Sequence, residues 1–537
     1  MRSLFTAVWL ASGLAAAQGV CSASELSSEL QHLRRLTLDL AGRAPTEAEL
    51  QKVVRDTRVD PATLDALLQP AVVKPMLRRL VRQQLQANLA LPLSNAANLS
   101  PRMQPGYPDS PGLWVINRAQ TYRKRPDGTA PAQVPCFDEP AAFDAQRRPI
   151  ATLRADGYLR EGWVEVRPYW DSNPAARVRV CAFDAQEAEL AQVAGRMMRC
   201  DQHETAYLTR DCGCGPNLRL CQGFVDGVST ETAINAALVE QAMRLVDHLV
   251  DEGRPWSELL TGADLDVNGP LVHYLKFQTG LTLDFSSRGD LGFTLPDVPY
   301  TDATWRRVRL TGRASGVLTT PFFLLKFASN RARANQVFNA FLCTPLQAST
   351  AGLASQADAG FEPDLALRVG CRDCHQVLEP AAAAWGRYVE RGTWELKDAE
   401  FPTFDRRCVS PDGGPLSLEA CNTHYRTVAR HPSELPFVGQ LLGRLYLSPE
   451  GIANFDEGPR RWATRAVNDG SFAECTVQKL WEAAVGRPFN REFSDEQQQL
   501  DRLTTSFRAR HDVRELLRAI VTSKQYRESE RRLGGTP

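Results

Sequence analysis

The chain has 537 residues, of which 43% are hydrophobic, a length and composition that suit two to four domains with ordinary globular cores. Lysine plus arginine equals aspartate plus glutamate, at 63 each, so no net field draws nucleic acid or an anionic membrane, and neither is expected as a partner. Thirteen cysteines are too many for a mesophilic cytosolic enzyme and suit an oxidising compartment.

The N-terminus points to the same compartment. Met1-Arg2 precedes an apolar run from Leu4 to Ala17, and small residues follow at Ala15-Ala16-Ala17 and Cys21-Ser22-Ala23. A basic start, a short apolar stretch and small residues near a cut predict a secretory signal peptide over 1–23, hence a periplasmic or secreted protein. No later window holds about 18 uninterrupted apolar residues, so no transmembrane segment is expected. Gln18-Gly19-Val20-Cys21 is a poor lipid-attachment box, and no acyl anchor is expected.

Residues 24–100 form a first helical region. Leu26, Leu30, Leu33 and Leu40 recur at helical spacing, Gly42 and Pro45 end that helix, and Thr46 with Glu49 makes a capping box for a helix over Glu47 to Asp56. Further helix is expected through Leu85. Residues 101–228 read as a β-rich, cysteine-containing insertion, with its strands over about 105–185. Gly162 to Trp170 alternates, Asp171-Ser172-Asn173-Pro174 turns and Arg177 to Cys181 alternates again, which predicts a hairpin that Cys136 and Cys181 could staple. Its Trp and Tyr residues either pack across a small sheet or line a ligand groove. Cys200, His203, Cys212, Cys214 and Cys221 follow. Their spacing matches no regular zinc pattern, and two disulfides pinning a loop are favoured over a metal.

A helical region is expected over 229–345. Ile234, Leu238, Leu245 and Leu249 mark one face of a long helix, and a second runs from about Arg331 to Cys343. Between them, Asp264-Leu265-Asp266-Val267-Asn268-Gly269 imitates the start of a calcium loop. Leu275 stands where a bidentate Glu is needed and Pro270 follows the glycine, so calcium is not expected. The C-terminal region, 446–537, is helical again. Ser494 with Gln497 suggests a capping box, and Val513, Leu516, Leu517, Ile520 and Val521 make a second apolar face.

Residues 346–445 carry the strongest chemical signal, Cys371-Arg372-Asp373-Cys374-His375. C-x-x-C-H holds c-type haem: two thiols add across the vinyl groups as thioethers, and the adjacent imidazole becomes the proximal iron ligand. At this composition about 0.005 such pentapeptides arise by chance. One covalent haem c is therefore expected on Cys371 and Cys374, with His375 on the iron. A disulfide beside a histidine is the plain alternative. Without Cys21 and the motif pair, ten cysteines remain, enough for five disulfides whose pairing the sequence leaves open. No nucleophile elbow, phosphate loop or zinc-protease motif is present, so no catalytic residue is assigned.

The distal ligand stays open. The last methionine is Met243, so no methionine follows the motif, and an axial Met would have to be Met103, Met197, Met198 or Met243. His424, His431 and His511 are the downstream imidazoles. Two strong ligands favour electron transfer, whereas an open iron position permits oxygen or peroxide chemistry.

Several stretches are similar to the planctomycete-type cytochrome c family of exported bacterial multi-domain proteins. Arg34 to Thr46 resembles its "RRLxLDLxGxxPT" opening, and Arg254 to Asn268 its "RPYxELLTADYTxVN" segment. Gly316 to Thr320, Asn330 to Asn335 and Leu342 to Pro345 resemble the stretch before its haem motif. Cys371 to His375 with Glu379-Pro380 matches "CxxCHxxxDP" with Glu in place of Asp. Phe472 to Val477, Leu480-Trp481 and Gly486-Arg487-Pro488 resemble its closing domain. The resemblance implies an exported haem protein and supplies no established reaction.

The expectation is a mainly α, multi-helical protein with a β-rich insertion and a c-type cytochrome-like segment, exchanging electrons with a redox protein partner. The alternatives are a peroxidase-like haem oxidoreductase with an open iron position, a disulfide-stabilised surface- or polymer-binding protein, and a haem-free chain in which Cys371 and Cys374 pair with each other.

Overall fold

The computed structural model describes residues 26–87, 103–107, 110–116, 127, 136–153, 155, 157–193, 195–201, 209–225, 228–279, 291–346 and 362–527. The expected signal peptide, Cys21 and His203 lie outside the described residues. The leucine spacing of the first region produces a helix over 26–41 that turns Leu33, Leu36 and Leu40 inward. The next helix is Glu47–Asp56, and its Thr46–Glu49 capping box is present in full. Helices Pro61–Leu67 and Pro70–Gln84 each begin with proline, where the missing N–H costs no hydrogen bond.

Helix Pro70–Gln84 packs on the long helix Thr230–Asp251, whose first turn is capped by Ser229 accepting the Thr232 N–H. Ile234, Leu238, Leu245 and Leu249 are buried as their spacing requires. Arg78 joins the two helices through Glu240 at 2.5 Å and Asp247 at 2.6 Å. One main core draws on residues from Leu36 to Tyr526. The two ends of that stretch clasp each other. The Arg35 guanidinium lies 4.0 Å over the Tyr526 ring and donates to its carbonyl at 2.6 Å, and the Tyr526 hydroxyl donates to Asp39 Oδ2 at 2.7 Å. Among the described residues no helix is long and apolar enough to cross a membrane.

The insertion contains the expected hairpin. Trp163–Val166 runs antiparallel to Val178–Cys181, with Trp163 opposite Cys181 and Val166 opposite Val178. Val178–Cys181 also pairs, in parallel, with Ser110–Ile116, whose other neighbour is Met103–Tyr107. Disulfide Cys136–Cys181 fastens the sheet, and Cys200–Cys212 and Cys214–Cys221 close the cysteine cluster. Two of the insertion's rings pack against neighbouring elements. Trp170 is buried, and its ring lies so near Gly223 that a Cβ there would sit 2.5 Å from it. Tyr169 stacks on His273 with ring centres 3.7 Å apart. These rings rivet the insertion to the helical body.

One local reading changes, and the acidic stretch near 264 gains its structure. Ser494 is the first residue of helix Ser494–Arg510 and not its cap, which is Phe493 with no side-chain bond. The buried Glu496 organises that turn instead, accepting the Asn490 N–H and two bonds from Arg487. Asp264–Val267 is a strand paired with Arg306–Arg309, and its acids are engaged by cations. Asp266 meets Arg244 at 2.6 Å and His248 at 2.9 Å, and Asp264 meets Arg254 at 3.1 Å.

Arg333, on helix Asn330–Phe341, is fully buried. It donates to the carbonyls of Leu324, Phe327 and Val389, each at 3.0 Å, to Gly392 at 3.4 Å and to Asn330 Oδ1 at 2.9 Å. Burial lowers its pKa to about 10, still far enough above neutrality to keep the charge. Arg333→Met is expected to lose about 3 kcal/mol of stability, because several buried carbonyls are orphaned together. Equilibrium urea unfolding checks this; a loss below about 0.5 kcal/mol, the range of ordinary surface substitutions, would refute it.

Candidate functional site

The cysteines divide cleanly. Twelve of the thirteen lie in the described residues; ten form five disulfides, including Cys343–Cys475 and Cys408–Cys421. Cys371 and Cys374 stay unpaired and partly exposed. They stand at the start of helix Arg372–Ala382, the motif helix, for which Cys371 is the N-cap. Pro380 sits near its end, and the chain tightens into a 3₁₀ turn over Ala383–Trp385. Trp385 anchors that turn: it is fully buried and its indole N–H donates to the Leu318 carbonyl at 3.0 Å.

His375, Glu379 and Ala382 or Ala383 recur at i, i+4 and i+7/i+8, so they share one face of the motif helix. The His375 Nδ1 is hydrogen-bonded to Glu379 Oε1. Arg331 in turn grips Glu379 from helix Asn330–Phe341, at 2.7 and 3.2 Å. A carboxylate on Nδ1 fixes the ring's orientation and makes Nε2 the nitrogen that can bind a metal.

Beyond Glu379 that face borders a cavity of about 470 Å³, within the range of cofactor pockets; Cys371, Cys374 and His375 themselves lie outside its lining. Glu379, Ala382, Ala383 and Gly386 line it from the motif helix and its continuation, and Leu441, Leu442, Leu445 and Leu447 from a facing loop. The two walls touch at a pair of glycines. A Cβ on Gly443 would lie 2.1 Å from the Gly386 carbonyl oxygen, and one on Gly386 would lie 2.5 Å from the Phe455 ring. Arg331 and Arg426 also line the cavity, together with Asp364, Glu379 and Glu390, and both arginines are ion-paired, with Glu379 and Glu434.

His424 completes the lining. It closes the short helix Glu419–His424, which Cys408–Cys421 clamps one turn earlier, and the Phe401 ring stands edge-on to it at 5.5 Å. It is 8% exposed, and its Nε2 is buried with no hydrogen-bond partner. Burial pushes its pKa down to about 4, so the ring is neutral at neutral pH.

The other distal candidates lie elsewhere. His431 caps a 3₁₀ helix and engages Ser433 at 2.8 Å. His511 ends helix Ser494–Arg510, against Phe507 and Phe472 of the main core. Met243 is fully buried in the long helix, and Met197 and Met198 lie on the hairpin strand Arg196–Arg199. Met103 lies in the outermost strand of the insertion's sheet. No methionine lines the cavity. Sequence reasoning named His424 only as one of three histidines, and it missed the clamp of Arg331 and Glu379, for which the i, i+4 spacing of His375 and Glu379 was the available signal.

These residues fit a covalent haem. Two unpaired thiols, an imidazole with one nitrogen already engaged, an adjoining cavity and an orphaned buried nitrogen are what such a group uses. Leu367 and Val369, just before the motif, are 66% and 68% exposed, and Val377 within its helix is 44% exposed; an apolar macrocycle would cover surface of that kind. A second, more open hollow of about 750 Å³ beside Trp170, Phe224, Val228 and Tyr300 brings together no comparable set of unpaired ligating groups. Comparisons with protein-family models, curated proteins and solved structures return no match.

Proposed function

We propose that this chain is an exported, mono-haem, c-type cytochrome-like protein of the planctomycete type, which exchanges electrons with a redox protein partner in the periplasm or at the cell surface. Cys371 and Cys374 would hold the haem through thioether bonds, with His375 as proximal ligand. The observation that carries the reading is the cysteine partition. Every other described cysteine is closed in a disulfide, while the two thiols that the motif needs are unpaired on one helical turn beside their histidine.

When bound, the haem supplies a one-electron iron couple. The chain's own residues prepare its surroundings. Glu379 orients His375 and leaves Nε2 available, and Arg331 keeps Glu379 in place. Ala382, Leu441, Leu445 and Leu447 offer one apolar wall to the cavity. More than 500 residues around one haem is a large scaffold for a carrier, which argues for extensive docking to a protein partner.

The test is an intact-mass measurement and a reduced-minus-oxidised absorbance spectrum of the protein made in a host with c-type maturation machinery. The expected result is one haem per chain surviving denaturation, with five disulfides. A chain of unmodified mass from that host, or one whose Cys371 and Cys374 are bonded to each other, would overturn the reading.

A further inference from the structure

We propose that His424 is the second axial ligand of the iron, making the centre a low-spin bis-imidazole site. This rests on the haem reading above and decides between its electron-transfer and open-iron forms.

Three observations converge on this residue. The face of the motif helix that carries His375 leads through Glu379 into the 470 Å³ cavity, and His424 lines that cavity from another element. Its Nε2 is buried without a hydrogen-bond partner among the protein groups, which leaves that nitrogen open to a ligand in the tautomer that carries its proton on Nδ1. Its helix is held by Cys408–Cys421 and its ring is braced by Phe401, so the imidazole is presented from a rigid mount, as metal ligands require.

The other histidines among the described residues, the motif's own aside, lie away from the cavity. His248 bonds Asp266, His273 bonds the Arg219 carbonyl beneath Tyr169, and His431 bonds Ser433. His32 packs on Tyr526; His511 packs on Phe507 and shares the unpartnered buried Nε2, but in the main core and not at the cavity. Among the residues lining the cavity, His424 is the one imidazole, with no methionine and no cysteine beside it.

The experiment uses the full haem-loaded chain and reads electron paramagnetic resonance, absorbance and the midpoint potential. The wild-type ferric protein is expected to be low-spin. His424→Ala is expected to keep its covalent haem, become predominantly high-spin, and return to low-spin when free imidazole is added. His424→Met, which keeps the bulk of the side chain if the alanine variant does not fold, is expected to stay low-spin with a raised midpoint potential. His431→Ala and His511→Ala are expected to leave the spectrum unchanged. A low-spin His424→Ala protein with haem attached, a high-spin wild type, or an unchanged potential in His424→Met would each overturn the assignment. Absence of covalent haem from the wild type would overturn the haem reading itself, a result told apart by mass alone.

Discussion

Cys371→Ser/Cys374→Ser is expected to abolish covalent haem completely while leaving the fold in place. Both thiols are partly exposed, and neither belongs to the main core that runs from Leu36 to Tyr526. The motif helix is held from its other end, where Leu378, Ala381 and Ala382 are buried and Trp385 is bonded to Leu318. Asn454 adds a bond to the Pro380 carbonyl at 2.8 Å. Serine in place of a half-exposed cysteine should therefore change the stability of the haem-free chain by less than about 0.5 kcal/mol. Each single variant retains one thioether and should still carry haem through denaturation, with an altered spectrum. Mass spectrometry of denatured protein, with circular dichroism of the haem-free chains, reads all three cases. Haem that stays bound to the double variant after denaturation would sink the assignment of these two cysteines.

The second large effect belongs to the bridge between Cys343 and Cys475, which lie 132 residues apart. Cys343 follows helix Asn330–Phe341 with a left-handed backbone, φ 52°, and Cys475 is buried in helix Ser471–Val485. A cross-link restricts the unfolded chain more as the enclosed loop lengthens. Cys343→Ser/Cys475→Ser is therefore expected to lose about 5 kcal/mol, against about 2.5 kcal/mol for Cys214→Ser/Cys221→Ser, whose separation is 7. The ordering of the pair is the sharper claim, since it follows from loop length in the chain-entropy account. Urea unfolding of both variants checks it, and a Cys214/Cys221 variant that loses as much as the Cys343/Cys475 variant would contradict it.

What the sequence disclosed depended on how local each interaction was. Thr46 and Glu49 lie three residues apart and satisfy each other, so their capping box was readable without knowing the fold. The hairpin from Trp163 to Cys181 was readable for the same reason, because alternation and turn lie in one short stretch. Arg333 gave no such sign. Its carbonyl partners come from residues 324 to 392, and an arginine on a helix ordinarily faces water. Ser494 misled because a side chain of the right type at the right spacing was outweighed by the ion pair of Arg487 with Glu496. In the candidate site, the motif named its own three residues. It did not separate His424 from His431 and His511: His431 is set apart by its bond to Ser433, and His511, whose Nε2 is also buried without a partner, by lying away from the cavity, which only the assembled walls reveal.

The bridges carry a consequence for how the protein matures. Four of the five join a cysteine to the next one along the chain, whereas Cys343 must pass over Cys371, Cys374, Cys408 and Cys421 to reach Cys475. A polypeptide emerging N-terminus first offers Cys343 the two motif thiols before its proper partner exists. Exchange between thiols is then a contest decided by timing. If oxidation runs ahead, the rivals can capture Cys343 and yield mispaired isomers. If the motif thiols are first consumed as thioethers, two of the four competitors vanish. Under the haem reading, attachment before oxidation would thus act as proofreading for the longest cross-link among the described residues.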